Sequence, residues 1–212
     1  MSAIPTARLT GQALMLLLAT ALISGCLVVS VNPWIDPKKA VATPSLAGDW
    51  VDTNQNQSAT FSFEPRNSYY DLTLKSAGNQ ATTQYRGTMH TVGDALLLQL
   101  GPGEKATANS PGALLPVHML FRVELSTNTM RLYPLSRQGF EARALSNMIS
   151  IAESPDRPGD KEPVIVTAKT ATLETFLGAS IRDRTLFTSD PAYSFSTAPE
   201  TATAVPETQS TP

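Results

Sequence analysis

The sequence predicts a mainly β fold: a single antiparallel meander, barrel or half-barrel, with one amphipathic helix towards the C-terminus. Three observations carry this expectation. From Ala59 to Leu132, apolar and polar residues alternate with a period of 2, as strands with one buried face do. The alternating runs recur about every ten residues and are separated by short turn-forming groups, which favours pairing between sequential strands. One later stretch, after Thr172, carries apolar residues at helical spacing.

The domain opens at Ser45-Leu46-Ala47-Gly48-Asp49-Trp50-Val51, and residues 54–57 read as a turn. Ala59, Phe61 and Phe63 alternate with Thr60, Ser62 and Glu64 until Pro65-Arg66-Asn67 breaks the run. Tyr70, Leu72 and Leu74 form a second apolar face, ended by Ala77-Gly78-Asn79. Tyr85, Gly87 and Met89 form a third, with Arg86, Thr88 and His90 opposite. Gly93-Asp94 turns the chain into Leu96, Leu98 and Leu100. Residues 101–116 read as a long loop of Gly, Pro and Ala. Its Gly-Pro-Gly is followed by no Lys-Ser/Thr and no helix, so a phosphate loop is excluded. Val117, Met119, Phe121, Val123 and Leu125 share one face, with His118, Arg122 and Glu124 on the other. Ser126-Thr127-Asn128 turns the chain into Met130 and Leu132. Arg137 to Ser150 reads as a short helix or turn, residues 154–162 as a polar loop, and Val164-Ile165-Val166 as the last strand. Thr172 is the expected N-cap of the helix, whose stripe is Leu173, Phe176, Leu177 and Ile181. Glu174 falls in its first turn, where the helix dipole favours a carboxylate.

The two ends differ from this body. Residues 191–212 are rich in Thr, Ala, Pro, Ser and Glu, with only Tyr193 and Phe195 as aromatics, and read as a disordered tail. At the other end, Arg8 is followed by an apolar run from Ala13 to Ile23 that is shorter than a spanning helix of about 20 residues. It ends in Leu22-Ile23-Ser24-Gly25-Cys26. This pattern resembles the lipobox of bacterial lipoprotein precursors: an aliphatic residue, two small residues, then cysteine. The resemblance implies a signal peptide over 1–25, cleavage between Gly25 and Cys26, and a diacylglyceryl thioether on Cys26, usually with an N-acyl chain such as palmitate. An ordinary secretory signal, or an N-terminal membrane anchor with an incidental cysteine, is the alternative. One cysteine forms no internal disulfide, and lipidation would remove an exposed thiol from an oxidising compartment. Several chains at about 0.8 kcal/mol per buried methylene hold a protein to a membrane without a spanning helix. Leu27 stands where the family's inner-membrane proteins often carry Asp, so the resemblance implies the outer membrane, facing the periplasm.

Residues 27–44 are expected to form, with the lipidated Cys26, a tether of 26–44. Pro33, Pro37 and Pro44 stiffen it and no period persists. Trp34 within it either sits at the membrane interface or packs on the domain. The folded domain is then 45–190.

Gly48-Asp49-Trp50 is similar to the Gly-x-Trp at the first strand of lipocalins and related small barrels. That likeness implies a Trp50 that plugs one barrel end and a Gly48 that permits close backbone approach. It also leaves Trp50, Tyr70 and Tyr85 as candidates for a ligand mouth or plug.

Charge and composition exclude other classes. Without residues 1–25 the chain keeps 15 of its 16 Lys and Arg, since only Arg8 is lost, against 18 Asp and Glu, a net charge of −3. That balance argues against nucleic acid and against polybasic attraction to anionic lipid. The histidines, His90 and His118, fall on the polar faces of expected strands, which reads as solvent exposure rather than metal binding. No nucleophile sits in a catalytic turn. No cofactor, metal or catalytic residue is expected. The expected function is that of a membrane-anchored envelope lipoprotein acting as a structural or interaction module, with an envelope protein as partner. Binding of a lipid or small apolar ligand in a lipocalin-like barrel is the second reading.

Overall fold

The computed structural model describes residues 27–53, 59–76, 82–103, 116–152 and 163–197. Their strands are β1 (Val28–Ser30), β2 (Gly48–Asp52), β3 (Ala59–Pro65), β4 (Tyr70–Ser76), β5 (Thr82–Val92), β6 (Ala95–Pro102), β7 (His118–Leu125), β8 (Thr129–Pro134), β9 (Ile151–Ala152), β10 (Val164–Val166) and β11 (Tyr193–Thr197). The α-helices among these residues are α1 (Arg137–Ala144), within the stretch read as a short helix or turn, and α2 (Thr170–Ser180). Cys26, Gly25 and the rest of the leader lie outside the described residues, as do the turns assigned to 54–57 and 77–79 and most of the loops assigned to 101–116 and 154–162.

Strands β2 to β8 pair antiparallel, each with the next. β11 pairs antiparallel with both β8 and β2 and shuts the ring. The result is a closed, eight-stranded antiparallel barrel, so the expected meander is a barrel and not a half-barrel. Closure leaves these strands no free edges. The alternation read from sequence is the inward-outward alternation of the wall. Trp50, Phe61, Phe63, Leu72, Met89, Leu98, Phe121, Met130, Leu132 and Phe195 are buried in one interior cluster.

The closing strand corrects the tail. Residues 193–197 are not loose: Phe195 lies opposite Met130 on one side and Asp52 on the other. Two aromatics spaced by two on a strand bury enough surface to be held, and average composition hides that. The strand expected at Val164–Val166 forms there but is not the last. Val164–Val166 is β10, outside the barrel.

The tether is corrected as well. β1 begins two residues after Cys26, and Val28, Val29 and Ser30 are buried. It joins β7 at His118 and Met119, beyond Pro134 where β8 stops, and pairs in parallel with β10, which pairs with β9. These three short strands make a small lobe on the barrel wall. The chain then runs as a strap, residues 31–47, across the outside of the barrel. Trp34 is 0 % exposed and donates Nε1–H to the His118 carbonyl at 3.0 Å, so packing on the domain is the reading that holds. The Val41 N–H donates to the Met89 carbonyl at 2.8 Å. Leu46 is buried in the barrel cluster and accepts from Trp50 Nε1 at 2.9 Å.

A second core fills the space between wall and helices. It takes Leu97, Leu120 and Tyr133 from the wall's outward positions, Trp34 and Ile35 from the strap, Phe140 from α1, and Leu173, Phe176 and Leu177 from α2. Phe140 meets Trp34 and Phe176 edge-on, at 5.9 and 5.4 Å, the geometry the ring quadrupoles favour. α2 starts earlier than expected, with Lys169 and not Thr172 at its N-cap. Gly139 in α1 lies against the backbone of Thr185 and Leu186; a Cβ there would collide with the Thr185 carbonyl.

Candidate functional site

The barrel has two unlike ends. At the first, the strap closes the opening with Leu46 and Trp50. Tyr70 lies here, opposite Pro65, and latches the strap: its hydroxyl donates to the Thr43 carbonyl at 2.8 Å and accepts from the Thr43 N–H at 3.2 Å. Trp50 is buried here against Leu46, and Tyr70 fastens the strap beside it. Gly48 is needed for backbone geometry, not close approach. Its φ is +114°, and a Cβ would meet nothing within 4 Å.

The opposite end holds Tyr85, which pairs with Pro102 near the end of β6. It is the only one of the three sequence-nominated aromatics placed there. Its neighbours were not foreseen. Tyr193 stacks on Phe195 at 6.1 Å with an 11° tilt, and meets Phe61 and Phe121 at 6.1 and 6.2 Å. Tyr193 and Tyr85 are only partly buried, so solvent reaches this end. The carboxylate residue Asp52, buried on β2, faces the same cluster. Burial, then the neighbouring Tyr85 and Asp52, push the Tyr193 phenol up to about 12. Burial pushes Tyr85 the same way. Both phenols stay protonated at neutral pH, so they serve as hydrogen-bond donors and not as bases or nucleophiles.

A polar seam lies on the outer wall beneath the strap. His90 is 1 % exposed, against the expectation of a solvent-side residue. Its Nε2 lies 2.9 Å from Thr88 Oγ1. Gln99 donates to the same oxygen at 3.4 Å, accepts from the Ile35 N–H at 3.0 Å and donates to the Ile35 carbonyl at 3.3 Å. One amide thus reads both backbone groups of a strap residue. Burial lowers the His90 pKa, against the Lys39 backbone, Glu174 and Asp36, which favour its charged form. A cleft of about 160 Å³ beside it is lined by Ile35, Lys39, Val92, Glu174 and Leu177 among others. Glu174 binds the strap here: it accepts from Lys39 Nζ at 2.7 Å and from the Asp36 N–H at 3.0 Å. These bonds, led by Lys39, lower its pKa. Its task is tying α2 to the strap rather than meeting a helix dipole. His118, partly buried with its ring against Gly101, also has a lowered pKa from burial.

Among the described residues, no group of three or more His, Cys, Asp or Glu is placed to hold a metal ion. Among them, too, no helix is long and apolar enough to cross a membrane. Comparison with protein-family models, curated proteins and solved structures gives no match.

Sequence reasoning missed Tyr193, Asp52, Gln99 and Glu174 as members of these constellations. The Tyr193-x-Phe195 alternation was a usable signal. For Gln99, a single polar residue between Leu98 and Leu100, nothing marked its outward face as covered.

Proposed function

We propose that this chain is a lipid-anchored module of the cell envelope, held to the outer membrane on its periplasmic side and acting by protein interaction rather than catalysis. The proposed anchor is a lipidated Cys26, exposed by cleavage after Gly25. The observation that carries the interaction reading is the state of the barrel. Its described interior is packed with side chains, and its plugged end is fastened by the Tyr70 latch. A wall filled in this way is a scaffold, and its outer surface is what it offers. The buried histidine and the protonated tyrosines favour a structural use of these groups. Intact-mass analysis of protein purified from membranes tests the anchor. The expected mass is residues 26–212 plus a diacylglyceryl group and an acyl chain. A bare thiol at Cys26, or a retained leader, rejects it. Crosslinking in intact membranes should capture an envelope protein; hydrolase or transferase activity lost with one polar side chain would refute the non-catalytic part.

The tyrosine end favours a second reading, a small apolar ligand with a hydrogen-bond acceptor, seated against Tyr85 and Tyr193. Native mass spectrometry decides between them. Bound mass that disappears in Tyr193→Phe supports the ligand reading, and ligand-free protein supports the scaffold.

A further inference from the structure

We propose that the turn after α1, Leu145 to Met148, is a second membrane contact that rests on the bilayer beside the lipid at Cys26. This rests on the anchored reading above and adds a surface to it. Four large apolar side chains are exposed among the described residues: Val31, Val41, Leu145 and Met148. Leu145 and Met148 are 85 % and 87 % exposed, far beyond the 37 % and 39 % of the two valines. The backbone holds them out. The Asn147 N–H donates to the Arg143 and Ala144 carbonyls, and the Ile149 N–H returns to the Ala144 carbonyl at 2.9 Å. Met148 has a φ of 52°, a left-handed conformation that favours glycine or asparagine. Buried Ile149 follows at once and fixes the turn to the outer core. A strained position that keeps a large apolar group in water is costly unless something covers that group.

Charge and position point to a bilayer. Arg143 is bound to Asp183, which places the turn beside Arg182 and Arg184. Both arginines are exposed. An apolar tip flanked by two arginines suits the headgroup boundary of a bilayer, where apolar side chains insert and guanidinium groups stay among polar headgroups. The lobe that carries the turn also receives the N-terminus. β9 starts three residues after Met148 and pairs with β10, which pairs with β1. The Leu27 carbonyl accepts from the Val164 N–H at 2.9 Å. Leu27 alone lies between Cys26 and β1, so acyl chains at Cys26 would hold this lobe to the bilayer, with the turn at the end of the lobe where the Thr167 N–H meets the Ser150 carbonyl.

The test uses the full chain, processed in bacteria, with one added thiol: Leu145→Cys, Met148→Cys or, as control, Thr127→Cys on the exposed turn between β7 and β8. Each carries an environment-sensitive dye and is placed in vesicles of phosphatidylethanolamine and phosphatidylglycerol containing spin-labelled lipid. Quenching several-fold stronger at 145 and 148 than at 127 is the expected result. Equal quenching on protein whose mass shows lipid at Cys26 overturns the contact and leaves the anchor standing. Two dyes per chain, one of them on Cys26, overturn the anchor and the contact with it.

Discussion

The barrel interior draws its side chains from eight strands at two-residue intervals, and nearly all of them are apolar. The outer core draws on the strap, the outward wall positions, the lobe and both helices, and it encloses His90, Thr88 and Gln99. Both bury a fully covered tryptophan, Trp50 in one and Trp34 in the other. The interior is defined by the wall itself. The outer core exists only because residues from opposite ends of the sequence, Ile35 and Glu174 among them, meet across it. A periodic pattern in one segment specifies the first kind of core; the second is specified by which outward face becomes covered.

The largest expected break is Trp34→Ala. Removing an indole from a filled core costs about 3–5 kcal/mol. Denaturant unfolding followed by Trp50 fluorescence and far-ultraviolet dichroism checks whether the two cores fall together. A single shifted transition makes them one cooperative unit, and two transitions separate them. Gly139→Ala should follow, at about 2–3 kcal/mol, because the added methyl meets backbone that has no rotamer to yield. Its effect belongs to the outer core alone.

The two cores should also fail at opposite ends of the pH scale. His90 and His118 have lowered pKa values in the folded state. Their contribution is whole above the unfolded histidine pKa of about 6.5 and is lost as pH falls below it. Tyr193 is raised to about 12, so its contribution is whole below about 10 and is lost as pH rises through 12. Melting temperatures across pH should show His90→Leu flattening the acid limb and Tyr193→Phe the alkaline limb. A common response in both variants would erase the distinction.

The smallest expected effect is Lys39→Ala. The ammonium is 61 % exposed and screened, so the loss should stay under about 1 kcal/mol. A loss exceeding that of Trp34→Ala in urea melts would show that the strap depends on that contact more than on Trp34.

The barrel was legible because alternation is a local property. Phe61, Phe63, Leu72, Leu98 and Phe121 announce an inward face whatever lies elsewhere in the chain. Closure was not legible, because the decisive strand sits in a segment whose Thr, Ala and Pro content outweighs Tyr193 and Phe195. Prolines at 33, 37 and 44 read as a spacer, although two of them start the tight turns Pro37–Lys39 and Pro44–Leu46 that bend the strap over the wall. His90 read as solvated because a strand's outer face usually is, and Gln99 lies on the same outer face. Only the strap and α2, brought from far away in sequence, make them interior. At the candidate site, Tyr85 was visible as a strand tyrosine, while Asp52 and Tyr193 needed the ring to be drawn before they became its neighbours.

Because β11 lies so late in the chain, the seven strands before it stay unringed during synthesis, with β2 and β8 each presenting a bare hydrogen-bonding edge. A chain cut short before Tyr193 keeps those edges permanently and becomes prone to stick to its own kind. The ring is completed only once Tyr193–Thr197, within the last tenth of the sequence, has arrived.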